Sequence, residues 1–296
     1  MTTDNSVIDK KTATDQTVLI TGAGSGFGQA VSFKLAQLGY RVIATVEAVA
    51  QIQPLKQAAK ANNLELVVEK LDITSEADRE LAANWEIDIL VNNAGISEGG
   101  AVVDLPEYIL RQQFEVNVFG TILLTQQFAR QFAQRKSGKI VFISSVAGLT
   151  TDPFTGAYSA SKHALEAFAE ALNKELHEFN VQISTVNPGP ILTGFNDRMF
   201  EGWKHWFPED QQDTLFDYDQ LAFPHKQYDP EQVSDLIVKV VSNEILTYRN
   251  IVPQEIEADT KKQLEEVWQR TIHQQAKRDP LVQTAYELEP ETPNGK

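Results

Sequence analysis

The chain has 296 residues, a formal net charge of −15, 42% hydrophobic and 23% charged residues, and no cysteine. Such acidity argues against a nucleic-acid partner, which would need Lys and Arg to meet its phosphates, and the missing cysteines exclude disulfides, thiolate catalysis and zinc-thiolate sites. No apolar run approaches the ~20 residues of a membrane span, and residues 1–16 lack an apolar core followed by a small-residue cleavage site, so a cytoplasmic protein without membrane partners is expected.

No repeat or low-complexity linker divides the chain, so a single domain is expected over 16–255, preceded by a mobile tail at 1–15 and followed by a helical extension and polar tail at 256–296. Short β-branched runs alternate with longer helical patterns. In chain order, strands are expected within TVLITG (17–22), YRVIATV (40–46), LELVVEKLD (64–72), IDILVNNAG (87–95), KIVFISSVAG (139–148) and VQISTVNPG (181–189). Helices are expected over 26–38, 107–135, 157–179 and 230–242. Strands this apolar suit a sheet covered on both faces. The alternation implies an α/β fold with a doubly wound parallel sheet, whose ligands bind at the carboxyl ends of the strands.

The first strand runs straight into TGAGSGFG, with glycines at 22, 24, 26 and 28. A strand, a glycine cluster and then the helical QAVSFKLAQLG provide the setting in which a loop meets a phosphate: the helix start offers unpaired N–H groups and partial positive charge. Its spacing is T-G-x-x-x-G-x-G rather than G-x-G-x-x-G, with Phe27 where the third glycine would fall. A tight turn without ligand is the plainer alternative. Further along, YSASK places Tyr158 and Lys162 four residues apart on one helix face. An ammonium beside a phenol favours the phenolate, which can then exchange a proton with a carbinol or carbonyl oxygen. Ser145 ends a strand thirteen positions before Tyr158, on the ligand edge of the sheet, and can donate to the same oxygen; a turn or cap serine is its ordinary role.

Together these motifs, with NNAG at 92–95 and NPG at 187–189, closely resemble the short-chain dehydrogenase/reductase family, in order from about residue 16 to 253. The resemblance implies a Rossmann fold with Tyr158 as general acid/base, Lys162 as its electrostatic partner and ribose ligand, and Ser145 polarising the substrate oxygen. It implies that Asn117 in EVNVFG anchors a water linked to Lys162, beside its plain reading as a kink-stabilising polar residue. The coenzyme would be held by Gly22, Gly24, Ser25, Gly26, Phe27 and Gly28 at the pyrophosphate, by Asp72 and Ile73 at the adenine edge, and by Asn93, Ala94 and Gly95 along the adenosine. Asn187, Pro188, Gly189, Ile191 and Thr193 would border the nicotinamide.

Coenzyme choice rests on the end of the second strand. Glu47 lies nineteen residues beyond Gly28, no Arg or Lys stands between Thr45 and Pro54, and Ser25 replaces a basic residue in the loop. All three favour NAD, whose ribose hydroxyls suit a carboxylate, over NADP, whose 2′-phosphate wants a cation; Val46 is the alternative occupant of the acidic position. Residues 195–228 are dense in Phe, Trp and Tyr, and in the family this stretch forms the lid over the nicotinamide. Met199, Phe200, Trp203, Trp206 and Phe207 recur at helical spacing, as a stripe facing either a pocket or the core. If the stripe faces a pocket, a bulky, largely apolar alcohol or carbonyl substrate is expected. Lys204 and Arg198 are read as solvated cations.

His163, His177, His205, His225 and His273 show no metal-ligand spacing and are read as surface residues, so no metal is expected. The segment 255–279 has helical periodicity with mixed charge, as a solvated helix would. The family's habit of pairing through its long helices implies a homodimer or homotetramer. The leading reading is an NAD(P)-dependent oxidoreductase; the competing class is a non-catalytic NAD(H)-responsive regulatory protein, which would need neither a proton donor nor a relay.

Overall fold

The computed structural model describes residues 15–207, 214–272 and 277–288. Residues 1–14 and 289–296 of the expected tails, His273 and the centre of the expected lid, residues 208–213, lie outside the described residues. Seven parallel strands form one sheet in the order β3-β2-β1-β4-β5-β6-β7. These are β1 (Thr17–Ile20), β2 (Arg41–Val46), β3 (Val67–Lys70), β4 (Ile89–Asn92), β5 (Gly138–Ile143), β6 (Val181–Pro188) and β7 (Arg249–Val252). Strand order reverses between β1 and β4, which pair through Val18↔Ile89, Leu19↔Leu90 and Ile20↔Val91. At that reversal the connections leave to opposite sides and open a crevice beyond the strand ends. The expected Rossmann architecture is therefore present.

Side-chain alternation along each strand builds two cores. Val18 and Ile20 of β1, Val91 of β4 and Val141 of β5 face one side, where Val31 and Leu35 of α1 (Gly26–Gln37), Leu55 of α2 (Ile52–Ala61) and Ile237 of α9 (Pro230–Val241) cover them. Leu19, Leu90 and Phe142 face the other, against Ala82 of α3 (Glu76–Ala82), Leu124, Phe128 and Phe132 of α5 (Thr121–Arg135) and Leu165 of α6 (Gly156–Glu175). Phe128, Phe132 and Phe142 are fully buried, and each such side chain contributes roughly 1.5–3 kcal/mol by leaving water.

The expected helix over 107–135 is one rod with a defect: α4 (Glu107–Phe114) passes through a π-helical turn, Glu115–Gly120, into α5. A third cluster lies above the strand ends. Met199 and Phe200 of α7 (Phe195–Glu201) and Trp206 of α8 (Trp203–Trp206) pack there with Phe154, Tyr158, Tyr218 and Leu221. Val282 and Ala285 of α11 (Pro280–Glu287) join them, and Ala222 N–H bonds Ala285 O at 3.0 Å.

The helix expected over 255–279 is shorter than its periodicity suggests. Here α10 (Glu257–Glu266) runs into a single 3₁₀ turn, Val267–Gln269, and α11 starts afresh with Asp279 capping Leu281 N–H at 2.9 Å. Of α10 only Thr260 is buried, so tertiary packing does little to prolong it. Among the described residues, no helix is long and apolar enough to cross a membrane.

Candidate active site

The strand ends and the lid enclose a cleft of about 1130 Å³. That exceeds the ~300–1,000 Å³ usual for one small molecule and leaves room for a coenzyme beside a substrate. One half is made by the glycine loop. Gly22 takes φ +64°, and a Cβ there would stand 2.8 Å from Ala94 Cα, so only glycine lets β1 turn so close to β4. Thr21 Oγ1 accepts from Asn93 N and Ala94 N at 3.0 Å each, and Asn93 Nδ2 donates to the carbonyls of Thr21 and Gly22 at 2.9 and 3.0 Å. Asn93 thereby ties the NNAG segment to the loop.

Above that join, Ser25 holds the N-cap position of α1 without a side-chain cap. The first-turn N–H groups consequently remain available to an anion. Gly26 has φ +55° and nothing within 4 Å of an added Cβ, leaving open space at the helix start. Phe27 lines the cleft, whereas Gly28 sits behind it: a Cβ there would lie 2.5 Å from both Asn93 Nδ2 and Gly22 O. Glu47 follows β2, is exposed and lines the same half with Asp72 and Ile73. Asp72 Oδ1 accepts from Thr74 N and Oγ1 at 2.9 and 2.7 Å, and Arg79 pins the Ile73 carbonyl at 2.7 Å. A helix start for a diphosphate, a carboxylate at a strand end for ribose hydroxyls and a long open cleft fit a dinucleotide.

The inner half brings together Ser145, Tyr158, Lys162, Pro188, Gly189, Ile191 and Thr193. Ser145 ends the β5 connection and caps a 3₁₀ turn, accepting from Ala147 N at 3.1 Å, while its Oγ donates to Pro188 O at 3.3 Å. Tyr158 is buried in the first turn of α6, its ring edge-on to Phe195 at 5.8 Å. Lys162 Nζ donates to Ile143 O at 2.9 Å and lies 5.8 Å from the Tyr158 ring centroid.

Burial governs this pair. It pushes the Tyr158 phenol up to about 12, against the opposing pull of a Ser145 hydrogen bond, and it brings the Lys162 ammonium down to about 8, with Glu166 opposing. Desolvation is the larger effect on Tyr158, and the phenol stands protonated at neutral pH. A stability signature follows. Between pH about 8 and the ordinary lysine value of 10.5, the unfolded chain keeps a proton that the folded site has shed, so stability rises with pH. Tyr158 acts oppositely, and only above its ordinary value of 10.0. Melting temperature from about pH 7.5 to 9.5 is therefore expected to rise more steeply in the wild type than in Lys162→Met; parallel curves would remove Lys162 as the source.

Two residues act from behind the wall. Asn117 lies in the π-turn, buried, with Nδ2 donating to Ile96 O and Ser161 Oγ at 2.9 and 3.0 Å and Oδ1 accepting from Ile96 N at 2.8 Å. An added Cβ on Gly95 would stand 3.2 Å from its Oδ1 and 3.7 Å from Lys162 Nζ. Asn187, expected at the nicotinamide border, is instead fully buried, donating to Ser145 O at 3.1 Å and to Glu166 Oε1 at 2.6 Å. Arg249 holds the other Glu166 oxygen at 2.8 Å.

Of the aromatic stripe, Met199 alone lines the cleft among the five expected residues; Phe200 and Trp206 are buried in the lid cluster. Polar residues not expected from the sequence also line it, among them Asp152, Thr155, His225 and Arg198, the last expected as a solvated cation. His225 is half-buried rather than a free surface residue. No local signal marks it, because its partner lies 73 residues away.

The fold and the site define a dinucleotide-binding α/β protein with a Ser, Tyr and Lys group facing the coenzyme cleft. The sequence model described as short chain dehydrogenase matches residues 16–203, and the chain belongs to that family of NAD(P)-dependent oxidoreductases. The uncharacterized oxidoreductase YusZ of Bacillus subtilis is 33% identical over 237 residues, covering 76% of this chain and 84% of that one. Retinol dehydrogenase 8 of Bos taurus is 34% identical over 244 residues, covering 77% and 78%. A short-chain dehydrogenase/reductase from Burkholderia phymatum, solved in complex with NAD, superposes with a TM-score of 0.72 at 24% identity, over 89% of this chain and 98% of that chain.

Proposed function

We propose that the protein interconverts a bulky, largely apolar alcohol, preferably secondary, and its carbonyl compound, and prefers NAD to NADP. The observation that carries this reading is the convergence of Ser145, Tyr158 and Lys162 on one cleft whose other half holds the glycine loop and Glu47. When bound, the nicotinamide nucleotide supplies or takes up the hydride. Tyr158 handles the proton: its buried hydroxyl donates to the carbonyl oxygen in reduction and recovers the proton from the carbinol in oxidation. Ser145 Oγ donates to that same oxygen and polarises it. Lys162, at about 8, is still mostly protonated at neutral pH and stabilises the phenolate whenever it forms. Asn117 is a positioning residue that fixes Ile96 and, through it, the Gly95 backbone beside Lys162.

The apolar preference rests on Val146, Ala147, Phe195, Met199 and Phe223, which line the cleft. Pairing of copies through the long helices is part of the same reading: Tyr108, Phe119, Leu123 and Phe168 stand exposed on them. The test follows nicotinamide absorbance as the protein meets NADH or NADPH with bulky ketones and aldehydes. Consumption of coenzyme is expected, with kcat/KM for NADH about tenfold or more above NADPH, a difference of ~1.4 kcal/mol. Glu47→Arg is expected to reverse that preference by exchanging repulsion of a 2′-phosphate for an ion pair. Equal use of both coenzymes, unmoved by the substitution, would contradict the assignment of Glu47.

A further inference from the structure

Asp152 and His225 form a polar pair in the cleft that the chemistry above does not use. Asp152 comes from the loop between Ser145 and α6, and His225 from the segment returning out of the lid; Nε2 and Oδ2 are 2.9 Å apart. Both side chains keep about a third of their surface, 32% for His225 and 31% for Asp152. Both line the cleft beside Thr155 and Tyr158, among the apolar Phe195 and Phe223. Phe223 sets its ring edge-on to the imidazole at 5.5 Å.

The His225 segment is anchored rather than loose. Leu192 N–H bonds Tyr228 O at 2.8 Å, Tyr228 N–H bonds Pro190 O at 2.9 Å, and Asn196 Nδ2 donates to Gln227 Oε1 at 3.0 Å. Among the described residues, Asp152 Oδ1 and the second ring nitrogen of His225 have no hydrogen-bond partner in the protein. The pair is thus held in place with capacity to spare.

We propose that Asp152 and His225 form a subsite for a second, non-reacting hydroxyl group, so that the substrate is a bulky apolar alcohol or carbonyl compound carrying a further hydroxyl. This rests on the reading of the cleft given above. Asp152 as a carboxylate can only accept, so Nε2–H is committed to it; the open Oδ1 and the other ring nitrogen of a neutral His225 are both acceptors, to which a hydroxyl can donate. An anionic group placed against this pair would meet the Asp152 carboxylate, while Arg198 supplies a cation elsewhere in the cleft lining. A purely apolar substrate would strip water from both side chains and return no hydrogen bond, which is costly. The arrangement therefore suits a neutral group that can donate a hydrogen bond, as a hydroxyl does.

Matched ketones test the subsite: 4-phenylcyclohexanone with 4-(4-hydroxyphenyl)cyclohexanone, and 2-decanone with 10-hydroxydecan-2-one. For the wild type, kcat/KM is expected to favour the hydroxylated member of at least one pair by about tenfold or more, because a site built for a hydroxyl rejects the analogue lacking it. In His225→Phe and in Asp152→Ala that ratio is expected to fall towards one. The ratio cancels any general loss of activity, so a merely structural role for the pair would leave it unmoved. Equal turnover within both pairs, or a preference that survives in both variants, overturns the subsite alone. No turnover of any of the four ketones overturns the proposed function and the subsite with it.

Discussion

Replacing Tyr158 by phenylalanine is expected to lower kcat by about 10²–10⁴-fold, the usual weight of a positioned general acid or base, with coenzyme affinity changed only a few-fold. The substitution removes one oxygen and keeps the ring that packs edge-on to Phe195 at 5.8 Å. The fold and the dinucleotide half of the cleft are therefore undisturbed. Coenzyme fluorescence titration and initial rates separate the two effects. Electrostatics count as well as position: burial pushes the phenol up to about 12, further from the neutral range, where the wild-type group is in its donor form. A variant that kept within threefold of wild-type kcat would mean that another group delivers the proton.

The second large effect belongs to a residue that does not line the cleft. Gly28→Val is expected to abolish measurable coenzyme binding and to lower the melting temperature by roughly 5–15 °C, from overpacking of about 1–3 kcal/mol and lost hydrogen bonds of about 1 kcal/mol each. Its Cβ would fall 2.5 Å from Asn93 Nδ2 and from Gly22 O, and 2.9 Å from Ala23 Cα. Those atoms belong to the join that sets the loop against the NNAG segment, and moving them breaks the Asn93 bonds to Thr21 and Gly22. Gly24→Ala provides the contrast. Its nearest neighbour is the amide end of the flexible Gln51 side chain at 3.4 Å, so the melting temperature should barely move. Equal melting temperatures for Gly28→Val and Gly24→Ala would contradict the packing argument.

Much of this was legible in the sequence because the chemistry sits at strand ends, where a local apolar run is followed at once by the residues that face the cleft. TVLI before the glycine loop, ILVN before Asn93 and KIVFI before Ser145 all read directly as strand and site. What escaped depends on contacts distant in sequence. The strand β7 is only four residues, RNIV, with an exposed Arg249, and its signal is too short to separate from a loop. Helix α2 carried Leu55 and Ala59 one turn apart, a readable stripe that the glutamine-rich stretch concealed.

Side-chain direction was the deeper difficulty. Asn187 belongs to a motif at a strand end yet points into the sheet's interior, bracing Ser145 through its backbone. The aromatic lid residues have helical spacing either way, and only their packing tells that most face the lid cluster rather than the cleft. Spacing gives Tyr158 and Lys162 their proximity, whereas burial of both groups weighs on which protonation state prevails. Asp152 and His225 meet only in the folded chain.

Isotope transfer tests the oxidoreductase chemistry itself. The purified protein would be incubated with NADH deuterated at the reactive nicotinamide carbon and a bulky ketone, and the alcohol analysed by mass spectrometry. One deuterium is expected on the carbinol carbon, formed by the wild type and at a strongly reduced rate by Tyr158→Phe. Coenzyme binding without any deuterated alcohol, across ketones and aldehydes and with deuterated NADPH as well, would contradict it and leave a coenzyme-responsive binding protein as the reading of this fold.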